Sequence, residues 1–148
     1  TQGVSSAASD VYKRQELDGE FIVIGHSLGC LTWLNAVNNN VVSQQVDRVL
    51  LVAPADPVLC DEAATFQLDL NGESLRSKVH AASASTVCVG SDSDPWIPRG
   101  VVETFATPLD LPAVIVNGAS HFAVEEGWGP WQGVINWIED PHADLSVR

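Results

Sequence analysis

The sequence predicts an α/β fold, a parallel sheet of about four strands flanked by helices. Two observations predict it: four short apolar runs rich in β-branched residues, and helical or long irregular stretches between them. Strands joined that way need crossovers, which place them parallel with helices on the sheet faces. The first run, residues 20–25 (EFIVIG), ends in glycine and reads as a strand buried on both faces. From Leu28 to about Val42, apolar Leu31, Leu34 and Val37 recur at helical spacing, and three asparagines over 38–40 close the helix. Residues 48–53 (RVLLVA) form a second strand, stopped by Pro54 and Pro57. The stretch 55–83 is the least periodic, with a turn at Asn71-Gly72 and a short helix over 73–80. A third strand follows over 85–90 (STVCVG), a proline-started helix over 98–107, and a fourth strand over 113–117 (AVIVN). Trp131, Val134, Ile135 and Ile138 fall at i, i+3, i+4 and i+7, an amphipathic closing helix.

A chain of 148 residues has room for one domain. Residues 1–15 (TQGVSSAASDVYKRQ) lack apolar periodicity, and SSAASDVYKRQ resembles translated sequencing adapter. Position 1 is Thr and the chain contains no Met. Residues 1–15 are therefore expected to be a non-native or disordered leader, and 16–148 the C-terminal part of a single domain whose frame starts upstream. Seven Lys plus Arg against nineteen Asp plus Glu give a net charge of −12. That charge repels phosphate backbones and anionic lipid heads, which argues against nucleic-acid and membrane-surface partners. Three cysteines, Cys30, Cys60 and Cys88, are an odd number without C-x-x-C spacing. They point to reduced thiols and a cytoplasmic location.

The chemistry sits in Gly25-His26-Ser27-Leu28-Gly29, the G-x-S-x-G nucleophile elbow. A strand ends at its first glycine and a helix opens after its serine. On such a turn close neighbours leave no space for side chains, so both flanking positions are expected to need glycine. The Leu28 N–H, at the start of the helix, is the expected oxyanion donor. A serine nucleophile needs a base and an acid to orient it, here in the chain order Ser, Asp or Glu, His. Past the third strand Asp92 and Asp94 compete, and Asp94 is favoured because it heads the D-x-x-(apolar)-Pro pattern over 94–98. The loser is expected to be a solvated turn residue. His121 lies past the fourth strand; His26, at the variable elbow position, packs or hydrogen-bonds structurally, and His80 and His142 have no role. Trp96 either walls the acyl pocket or fills core space, Trp131 reads as core, and Cys30 as a small buried hydrophobe. Asp92, Asp94, Glu125 and Glu126 lack the H-E-x-x-H or H-x-H companion of a metal site, so no metal is expected.

The motifs GHSLGC, LLVAPADP, SDSDPWIP and GASHF resemble the small α/β-hydrolase family that includes the bacterial YdeN-type esterases and retinoblastoma-binding protein nine. The resemblance spans residues 20 to about 140. It implies a partial α/β-hydrolase fold and a serine hydrolase of carboxylic esters that uses no metal or organic cofactor. Ser27 is then the nucleophile, Asp94 the orienting acid and His121 the base. Members of that family begin with a strand, a G-W-G-type loop lending a second oxyanion amide, and a further strand and helix, none of which this sequence shows. The connection over 54–85 is too short for a large lid, which favours an open cleft and small soluble esters. Thioesterases, peptidases and acyltransferases use the same residues, and the rival readings are a non-catalytic interaction module with the same fold, its protein partner unspecified, or an inactive fragment.

Overall fold

In the computed structural model, which describes residues 19–60 and 66–148, four parallel strands lie side by side in chain order. The leader expected over 1–15 falls outside the described residues. Strand β1 (Ile22–His26) leads through Ser27 into α1 (Leu28–Asn38), followed by β2 (Val46–Val52), α2 (Glu73–Ala82) and β3 (Ser83–Ser91). A helical segment over 100–109 has π geometry at Val102–Ala106 and ends in a single α turn, α3 (Thr107–Leu109). Strand β4 (Ala113–Val116) and helix α4 (Gln132–Glu139) complete the order.

The alternation of β2 divides the core. Val49 and Leu51 pack with Cys30, Leu31 and Leu34 of α1 and Leu75 and Val79 of α2. Leu50 and Val52 face the other way, onto Phe122, Trp128, Trp137 and Leu145. The sheet is thus the middle of three layers, with both faces of its inner strands covered. Register aligns the strand ends: His26 lies opposite Val52, Val52 opposite Val89, and Ser91 opposite Val116. The loops that follow all four strands therefore leave one rim.

Two expectations about burial are corrected. The first strand is not buried on both faces: β1 stands at the edge of the four-stranded sheet, and Ile24 is 44% exposed. The closing helix turns a different face inward. Its buried residues are Gly133 and Trp137, whereas Ile135 and Ile138 are 51% and 43% exposed. Tertiary contacts set that rotation. The Arg48 guanidinium of β2 lies over the Trp137 ring at 4.4 Å and donates to the carbonyls of Trp137 and Ile138 at 2.7 and 2.6 Å. Gly133 lies under the C-terminal tail, donating its N–H to the Val147 carbonyl at 2.8 Å. Trp131, Val134 and Ile135 line an open trough of about 330 Å³ with Ile24, Phe122 and Trp128.

Candidate active site

Ser27 stands between β1 and α1 with φ 56° and ψ −118°, a left-handed conformation that costs a non-glycine residue energy and is kept where the surroundings over-determine it. Its N–H donates to the Val52 carbonyl at the neighbouring strand end, 3.0 Å away. A Cβ at Gly25 would lie 3.1 Å from the backbone of Gly29 and of Cys30, so the turn closes only over glycine there. Gly29 differs from expectation: a Cβ there meets nothing within 4 Å, because the position points outward from the first turn of α1. Cys30 is buried, its Sγ 3.3 Å from the carbonyls of both Gly25 and Val52. Burial raises its thiol pKa, and raises that of Cys88 to about 12, so both stay protonated and act as packing groups.

The loop after β3 carries Asp94, whose side chain is fully buried. Its Oδ1 accepts the Trp96 N–H at 2.9 Å, which fixes the carboxylate within the turn. The loop after β4 carries His121. Its Nδ1 lies 3.0 and 2.9 Å from the two Asp94 oxygens, and its Nε2 lies 2.9 Å from Ser27 Oγ. A carboxylate only accepts, so Nδ1 bears the proton and Nε2 offers its lone pair to the serine hydroxyl. The structure thus unites Ser27, His121 and Asp94, from three distant stretches, in one chain of hydrogen bonds. The Leu28 N–H, first in α1 and directly after Ser27, has no acceptor within its helix. The loop from which the family resemblance draws a second oxyanion donor has no counterpart among the described residues.

Other candidates fall elsewhere. Asp92 is not merely a solvated turn residue, since its Oδ1 accepts the Gly118 N–H at 2.7 Å and so ties down the loop that carries His121. Ser93 Oγ likewise accepts the Ser120 N–H at 3.1 Å. His26 is exposed beside His121, the ring centroids 5.0 Å apart, with its Nε2 2.8 Å from the His121 carbonyl. His80 makes the same type of bond to the Leu109 carbonyl, remote from the rim. Trp96 is 48% exposed with its ring 6.4 Å from that of His121, so it borders the open site and does not fill core space. Trp131 is half-buried, stacked on Phe122 at 4.8 Å, while Trp128 is the more deeply buried of the pair. Glu126 accepts the N–H groups of His121 and Ala123 at 3.0 and 2.9 Å. No local pattern announces that role. Among the described residues no cluster of three or more His, Cys, Asp or Glu side chains could hold a metal ion, and no helix is long and apolar enough to cross a membrane.

A strained serine between strand and helix, with an imidazole and a carboxylate on the same sheet rim, defines an α/β serine hydrolase. The family profile described as serine hydrolase matches residues 10–140, and the chain belongs to that family. Among solved structures it is similar to the ydeN gene product of B. subtilis, with a TM-score of 0.67 at 18% identity over 90% of this chain and 71% of that one. It is also similar to a YdeN-like hydrolase from Pectobacterium atrosepticum, with a TM-score of 0.57 at 27% identity over 90% of this chain and 65% of the other. The chain thus spans about two thirds of the length of these relatives. No curated protein matches it significantly.

Proposed function

We propose that Ser27, His121 and Asp94 form the catalytic triad of a hydrolase that cleaves small carboxylic esters through an acyl-enzyme. The observation that carries this reading is the unbroken bonding from Ser27 Oγ through the His121 imidazole to the Asp94 carboxylate. His121 Nε2 takes the Ser27 proton as Oγ attacks the ester carbonyl carbon, and the carbonyl oxygen becomes the oxyanion facing the Leu28 N–H. Collapse breaks the ester C–O bond, and the imidazolium returns the proton to the departing alkoxide. Water, deprotonated by the same nitrogen, then attacks the acyl carbon and releases Ser27 and the acid. Asp94, buried and accepting from Nδ1–H, holds the tautomer this sequence requires and stabilises the imidazolium.

Trp96, exposed at the edge of the site, supports an apolar wall for a substrate group, and the openness of the rim suits small soluble esters. The free, buried thiols of Cys30 and Cys88 suit a reducing, cytoplasmic setting. A fluorophosphonate probe tests the reading. The wild-type chain should label, Ser27→Ala should not, and Asp94→Asn should label about 10³–10⁴ times more slowly. Labelling that survives in Ser27→Ala would place the nucleophile elsewhere.

A further inference from the structure

We propose that His26 and Glu126 are positioning residues that hold the backbone of His121 from both ends and so set where its imidazole stands. The inference rests on the triad reading above and extends it to two residues that touch neither substrate nor reacting atoms. His121 is flanked by Ser120 and Phe122, with φ of 50° and 56°. Two left-handed non-glycine residues around one position are energetically unfavourable, so the loop needs external restraint to keep this shape. The backbone of residue 121 has one donor and one acceptor, and each has a side-chain partner. Its N–H donates to Glu126 Oε2 at 3.0 Å, and the same oxygen takes the Ala123 N–H at 2.9 Å. Its carbonyl accepts from His26 Nε2 at 2.8 Å. A carbonyl can only accept, so that nitrogen carries a proton whatever the charge of His26.

The partners differ in what they tie together. Glu126 lies five residues after His121 and folds the loop back on itself. Its carboxyl is held below the ordinary value of 4.5, chiefly by the Ala123 N–H and the Ser120 hydroxyl, which keeps it the charged and stronger acceptor. His26 immediately precedes Ser27, so its bond joins the nucleophile's own turn to the backbone of the base. With both bonds made, the Cα–Cβ direction of His121 is fixed relative to the elbow, and the 2.9 Å approach of Nε2 to Oγ follows. Displacement by about 1 Å at such a site can cost about 10²-fold in rate.

The test uses the full chain and measures the first-order labelling rate at saturating fluorophosphonate separately from the fraction of protein that labels. His26→Ala and Glu126→Ala should each slow that rate by about 10- to 100-fold with little change in probe affinity. His26→Gln, which keeps an N–H donor, and Glu126→Gln, which keeps an acceptor oxygen, should recover most of the loss. In proton NMR, the low-field Nδ1–H resonance of His121, identified by its absence in His121→Ala, should broaden in both alanine variants and persist in the glutamine variants. Wild-type rates in the alanine variants, or a loss confined to the labelled fraction, overturn the proposal by reducing these residues to ordinary structural contacts. An unchanged Nδ1–H resonance in both alanine variants does so as well. A wild-type chain that fails to label overturns the triad reading itself, and the proposal with it.

Discussion

The two glycines of the elbow have unequal duties. At Gly25 the obstructing atoms are backbone, which cannot swing aside, so Gly25→Ala should destabilise the chain by about 1–3 kcal/mol and slow Ser27 labelling. Gly29 occupies the first turn of α1 with open space beyond it. There an alanine removes backbone freedom from the unfolded chain and adds helix propensity, so Gly29→Ala should stabilise by about 0.5–1 kcal/mol. Urea unfolding of the two variants checks both signs, and destabilisation by Gly29→Ala would mean that a neighbour crowds the position after all. Motif spacing alone treats these glycines as equivalent. The difference lies in the direction of a missing Cβ, which depends on the path of the chain around the serine.

At the scale of elements, Arg48 ties α4 to the sheet. It is buried in β2 and donates to the Glu20 carboxylate through two nitrogens at 2.8 and 2.6 Å. Its other bonds satisfy two carbonyls in the last turn of α4, where helices otherwise leave acceptors without a donor. Arg48→Ala should therefore lower the unfolding free energy by about 2–4 kcal/mol. Arg48→Lys should recover only part of this, because an ammonium lacks the planar fork. Loss of less than about 1 kcal/mol in equilibrium unfolding would show that α4 docks through its apolar face alone. The same contacts explain why the Trp131–Val134–Ile135–Ile138 stripe misread the buried face. Periodicity correctly identified a helix there, but a buried Arg over Trp137 and a glycine under the tail decided its rotation.

At the scale of the whole molecule, the chain carries a net charge of −12, and among the described residues three carboxyls are held below their ordinary values. Glu20 is held low by the hydrogen bond from Arg48, Glu126 by the Ala123 N–H, and Asp144 by the Ser146 hydroxyl. Each is more readily ionised folded than unfolded. Its contribution is therefore fully present above the unfolded value, 4.5 for the glutamates and 3.8 for the aspartate, and is lost as pH falls through the lower folded value. Stability should hold near neutrality and decline on the acid side, and Glu20→Gln should make that decline shallower. Denaturant titrations across this range test it, and an unaltered acid limb in Glu20→Gln would detach the Glu20–Arg48 pair from the pH response.

Much of this protein was legible because the relevant physics is local. Runs of β-branched residues marked all four strands, helical spacing marked α1 and α4, and the elbow was readable from five consecutive residues. Asp94 and His121 could be selected by chain order because parallel strands deliver their following loops to one rim. The tertiary structure alone decided that β1 lies at a sheet edge with Ile24 uncovered, which face α4 buries, and that Asp92, His26 and Glu126 hydrogen-bond to the loop that carries His121. His26 and His121 lie 95 residues apart. A hydrogen bond at that separation depends on strand register and loop path together, and neither leaves a periodic trace in the sequence.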